Sequence, residues 1–242
     1  MKNKDKKYLI YLVAQVCLFI ALAVFQMIAI IKGKLVFDRA FELFPVIGGI
    51  QILLTAVSFI FSVIIFLLKR KEGMTLFDLF PIYFLFALVA DVFFSATKFS
   101  IVGHICFLIC YLVFMVMRKS KFYEYIGIDI IGIIAAIVLI IAKKYSVQMN
   151  VDIVLGALLI LNCAMMWIKF AKSKDKSLLY LSIGVSLIFI SDLTIGLRTA
   201  LPNSLIGGNV IGLLTWPTYL IGNALFLYYY ANFSRQESVT NN

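Results

Sequence analysis

Two acidic side chains stand out because of where they fall. Asp91 ends the apolar run Phe86-Ala87-Leu88-Val89-Ala90, and Asp192 follows Leu187-Ile188-Phe189-Ile190-Ser191. Ionisable groups inside long apolar segments are costly and commonly line cavities, proton paths or ligand sites. The other acids escape that test. Asp5, Asp38, Glu42, Glu72, Asp175 and Glu237 fall between or beyond the apolar runs, and Asp78, Glu124, Asp129 and Asp152 fall near run ends. Two carboxyls in one polar pocket could divide acid and base work, because burial disfavours the ionised form and a neighbouring carboxylate disfavours it further.

Partners for such a pair can be read from spacing. Thr215, Tyr219 and Asn223 recur at i, i+4, i+8 and share one face of a helix. Ser191 adjoins Asp192, and Asn162 lies inside another apolar run. His104 is the single histidine of the chain. The short connection before it is expected to place it near the depth of Asp91, where an imidazole could relay protons. The structural alternative for the hydroxyls and amides is ordinary hydrogen bonding between membrane helices.

The elements that position these residues follow from composition. The chain has 242 residues, 63% hydrophobic and 14% charged, with a mean hydropathy of +1.04. A soluble domain is about half apolar and a quarter charged, so a water-soluble fold and a disordered chain are both excluded. The apolar runs are continuous rather than alternating, which selects helices over an outer-membrane barrel. Eight runs meet the length of roughly 20 residues needed to cross a bilayer: 8–31, 44–68, 76–96, 101–117, 125–142, 151–170, 178–197 and 211–231. The expected fold is an all-α polytopic bundle of eight transmembrane helices, a single domain over 1–242 with a polar tail at 232–242.

The formal charge of +10 does not point to nucleic acid, because Lys and Arg cluster between apolar runs. With an inner N-terminus, the inner segments hold roughly twice as many basic residues as the outer ones, the positive-inside pattern. Both termini are therefore expected on the cytoplasmic side. Asp91 is then ~22 Å along its helix from Leu76, and Asp192 ~21 Å along its own from Leu178. Both helices run outward, so the carboxyls fall at similar depth, and a pocket shared between the third and seventh spans is expected. Cys17, Cys106, Cys110 and Cys163 all lie in apolar runs and behave as small hydrophobes. With a single histidine they form no recognisable metal-ligand pattern.

Several blocks resemble a known family. Gly184 to Leu193, Thr218 to Leu225, Leu88 to Val92 and Gly103 to Phe114 are similar to segments of the lysoplasmalogenase-like membrane proteins, the YhhN family. The resemblance implies an eight-span fold and hydrolysis of the vinyl-ether bond of lysoplasmalogens, lysophospholipid substrates, to a fatty aldehyde and a glycerophospho-alcohol. Asp91 and Asp192 would be the catalytic acid and base, with the assignment between them open. Tyr219, Asn223, Thr215, His104, Asn162 and Ser191 would line the substrate site. Such an acid pair needs neither metal nor cofactor. The substrate would enter laterally from the membrane lipids, and the composition suggests a bacterial plasma membrane. The competing expectation is a lipid or small-molecule binder, or a proton-coupled transporter using the same acids.

Overall fold

The computed structural model describes residues 3–34, 42–97, 99–117, 134, 137–138, 141, 147–200 and 205–234. The expected fifth span, 125–142, lies almost wholly outside the described residues. Among the described residues the chain is helical with no strand. The long helices are α1 (Asn3–Ile31), α2 (Phe44–Lys69), α3 (Phe80–Ala96), α4 (Ser100–Met117), α5 (Val147–Ser173), α6 (Lys176–Ala200) and α7 (Leu205–Asn232). Six segments are long and apolar enough to cross a membrane: Tyr8–Ile31, Phe44–Lys69, Leu76–Ala96, Ser100–Met117, Asn150–Ser173 and Lys176–Ile195. The chain is thus membrane-embedded in character, with a seventh long helix, α7, packed into the same bundle.

Local chemistry sets the helix ends. Gly33 closes α1 at φ +67°. Its N–H reaches the Ile30 carbonyl and that of Lys34 reaches Ala29, the Schellman pattern in which glycine tolerates the left-handed backbone. Pro45 and Pro81 sit in the first turns of α2 and α3, where a missing N–H costs nothing. Between α2 and α3 two short 3₁₀ turns, Arg70–Glu72 and Leu76–Leu79, flank Gly73. The second carries a reciprocal cap between Thr75 and Asp78. Asp78 also accepts the Tyr230 hydroxyl at 2.9 Å. The Tyr230 carbonyl in turn accepts the buried Lys69 ammonium at 2.7 Å, so the ends of α2, α3 and α7 are tied together.

Packing follows the chain in part. α3 lies against α2 and α4, and α6 against α5 and α7. The α6–α7 contact is the most extensive because it is built on glycines. A Cβ on Gly222 would stand 2.9 Å from the Gly184 carbonyl oxygen. Small residues at a crossing let membrane helices approach to backbone contact. α1 runs antiparallel to α7: the Tyr8 hydroxyl donates to the Ala224 carbonyl, and the Asn209 amide to the Lys34 carbonyl at the opposite end. A main aromatic-rich core includes Phe80, Tyr83, Phe84, Phe114 and Phe226. A smaller one, Leu22, Ala29, Ile47, Leu54 and Leu220, joins α1, α2 and α7. Leu9, Ile10, Val13, Val16 and Ile20 leave an apolar face of α1 outward, as a lipid-facing helix should.

Candidate active site

Asp91 projects from α3 into the interior and is 5% exposed. Two hydroxyls converge on its Oδ2. Thr55 of α2 donates from Oγ1 at 2.5 Å, and Tyr219 of α7 points its hydroxyl there at 3.4 Å. Thr55 belongs to a polar stripe on α2, Thr55, Ser58 and Ser62, at i, i+3, i+7 and all buried. That stripe is legible in the sequence as small hydroxyl residues at helical spacing inside an apolar run, and it is the signal that finds Thr55.

Asp192 projects from α6 and is partly buried. It accepts a short hydrogen bond from the hydroxyl of Tyr111 on α4. The Tyr111 backbone is itself held, because the Asn162 amide of α5 donates to its carbonyl at 3.2 Å. Asn162 therefore bears on the site through the Tyr111 backbone.

Asp91 and Asp192 are linked through side chains: Tyr219, whose hydroxyl faces Asp91, meets Phe107 edge-on, and Phe107 stacks on Tyr111, the donor to Asp192. The extensive contacts of α3 are with α2 and α4, and those of α6 are with α5 and α7. α3 and α6 have different packing partners, and α4 and α7 supply the groups between them, notably Tyr111 and Tyr219. The groups around the two carboxyls thus come from α2, α4 and α7 as well as from the helices that carry them. Cys110 donates its thiol to the Tyr83 carbonyl at 3.2 Å, and Phe107 stacks on Tyr111 while meeting Tyr219 edge-on. The polar groups are consequently walled by aromatic rings.

The other expected residues distribute unevenly. Tyr219 reaches Asp91, and Asn223, a turn away, is 1% exposed with an unpartnered Oδ1. Thr215 and Ser191 turn to each other's helices. Ser191 donates to the Thr215 carbonyl at 3.0 Å, and the Thr194 and Thr215 hydroxyls pair at 2.7 Å. These contacts stitch α6 to α7. His104 stands about one turn from Asp91 along α3. Its ring packs edge-on against Phe94, a turn further along α3, at 4.7 Å. Its Nδ1 faces the Ser100 carbonyl at 2.7 Å, and its Nε2 lies 3.1 Å from Asp152 Oδ1 on α5. The short α3–α4 connection places His104 near the helix ends, where the acid it finds is on α5.

Sequence reasoning missed Thr55, Tyr111 and the role of Asp152. Tyr111 carries no signal apart from its adjacency to Cys110, since an aromatic residue in an apolar helix is ordinarily core. Comparison with family models, curated proteins and solved structures returns no significant match.

Proposed function

We propose that this protein is a membrane-embedded hydrolase that cleaves the vinyl-ether bond of lysoplasmalogen-type lipids, using Asp91 and Asp192 as an acid–base pair. The observation that supports the reading is that two carboxyls from distant parts of the chain each take hydroxyl donors, with Phe107 bridging the donor rings Tyr111 and Tyr219. The motif resemblance to the lysoplasmalogenase-like family supplies the substrate class.

The chemistry balances on two carboxyls. One, as the acid, gives its proton to the vinyl carbon remote from oxygen, producing an oxocarbenium ion. The other, as carboxylate, stabilises the cation and takes a proton from the water that adds to it. The resulting hemiacetal collapses when the second carboxyl returns that proton to the departing glycerol oxygen. The first carboxylate then takes the hemiacetal hydroxyl proton, which restores both groups. This division of labour parallels paired carboxylates in glycoside hydrolysis. Tyr219 and Asn223 are placed to orient water or the leaving oxygen, and Thr55 and Tyr111 hold the carboxyls.

In this reading the chain forms one domain of eight spans with both termini cytoplasmic, in a bacterial plasma membrane, and the substrate enters from the lipid. The test supplies lysoplasmalogen to the detergent-purified protein and follows aldehyde release. Undiminished release in both Asp91→Asn and Asp192→Asn would remove the mechanism. The His104–Asp152 pair favours a second reading, a proton-coupled transporter or lipid binder. Ligand-dependent proton flux in liposomes without product would establish that instead.

A further inference from the structure

Two buried acceptors, one on α1 and one on α7, lack donors. Gln15 of α1 is 7% exposed. Its amide nitrogen donates to the Leu54 carbonyl at 2.9 Å and to Ser58 Oγ at 3.0 Å, which fixes the orientation of the side chain. Its Oε1 is unpartnered, as is Asn223 Oδ1 on α7. A buried acceptor left unpaired forfeits the hydration it had in the unfolded chain, so native proteins satisfy such atoms from protein or from bound water.

Register brings the two acceptors to one level. α1 and α7 are antiparallel and tied at Tyr8–Ala224 and at Lys34–Asn209. Gln15 is held against Leu54 and Ser58 of α2, and α2 runs beside α7 with Thr55 and Tyr219 meeting at Asp91 and Lys69 meeting Tyr230, which places Gln15 opposite the 219–223 turn of α7. α2 closes the third side with Thr55 and Ser58. The Gln15 contacts to Leu54 and Ser58 bracket Thr55, the donor to Asp91. Asn223 lies one turn from Tyr219, which also faces Asp91. The Tyr11 hydroxyl, 3.3 Å from Ser58 Oγ, completes the polar lining.

We propose that Gln15 and Asn223 bind an internal water molecule beside Asp91. A water molecule has two protons to give, one for Gln15 Oε1 and one for Asn223 Oδ1, and two lone pairs to receive neighbouring hydroxyls. Polar surroundings with two to four partners are what a buried water requires. The inference rests on the hydrolase reading in one respect only: there, this site holds the reserve from which the attacking water is drawn. Gln15 and Asn223 are then positioning residues, acting through the water on Asp91.

The experiment is hydroxyl-radical footprinting by X-ray radiolysis of the full chain in detergent, read by mass spectrometry, with water itself as the probe. Tyr11 and Tyr219 are only 3% and 5% exposed, yet an adjacent bound water generates radicals that label them. Phe226, packed on Gly184, serves as the dry buried reference and should stay unlabelled. Asn223→Leu should lower labelling of Tyr11 and Tyr219 about fivefold, the change in occupancy expected for losing one hydrogen bond. Exposed Trp167 should be unchanged, which also reports that the variant is folded. Wild-type labelling of Tyr11 and Tyr219 no greater than that of Phe226 overturns the proposal without recourse to any variant. Labelling without aldehyde release keeps the water site and removes the hydrolase, and aldehyde release without labelling does the reverse.

Discussion

Asp91 and Asp192 occupy similar positions along their helices, yet their surroundings differ. Asp91 is sealed between α2, α3 and α7 and receives hydroxyls from two helices. Asp192 is partly buried, receives the Tyr111 phenol, and lies within electrostatic reach of Asp152, which is paired with His104 at a more accessible end. Two carboxyls in identical settings would compete for the same role. In the proposed mechanism these unequal settings would let one carboxyl exchange protons with the surface side while the other stays internal, which is the asymmetry an acid–base pair needs.

The strongest way to break this comparison is to neutralise each acid. Asp91→Asn and Asp192→Asn should each slow aldehyde release by about a hundredfold or more. The double variant should be little worse than either single one, because the two act as a unit. Additive losses measured in the same assay would separate the acids into unrelated roles.

A steric change tests whether α6 and α7 must touch for the two regions to cooperate. Gly222→Ala puts a methyl against the Gly184 carbonyl and Ile188. Forcing the helices apart should cost about 1–3 kcal/mol and lower the melting temperature in detergent. An unchanged melting temperature would show that the crossing has slack.

Removing the donors should sharpen the contrast. Thr55→Val leaves a sealed carboxyl short of a hydroxyl and should destabilise by about 1–3 kcal/mol. Tyr111→Phe should cost less, about 0.5–1.5 kcal/mol, because Asp192 is open enough to find other donors. Thermal unfolding of the two variants side by side reads the order, and a larger loss for Tyr111→Phe would invert the picture of which site is sealed. The smallest effect belongs to the exposed Lys32–Glu42 pair, where Lys32→Ala should leave both melting temperature and turnover unchanged, since surface pairs contribute little.

The helices themselves were largely written in the apolar runs. Spans 8–31, 44–68, 76–96, 101–117, 151–170 and 178–197 correspond to membrane-length helices, because continuous apolar stretches of that size have few other stable fates. Asp91 and Asp192 were legible for the same reason, since a carboxyl in such a stretch is expensive wherever the stretch packs. Composition also excluded a soluble fold before any contact was known.

Tertiary structure decided who answers those carboxyls. Nothing in the local pattern distinguishes Tyr111, which holds Asp192, from Tyr83, whose carbonyl takes the Cys110 thiol. Nor does it separate Thr215, which pairs with Thr194, from Tyr219, four residues on, which reaches Asp91. Helical periodicity fixes which residues share a face, but the rotation and register of each helix against its neighbours fix what that face meets. Those depend on close approaches such as Gly184 to Gly222, between residues far apart in the chain.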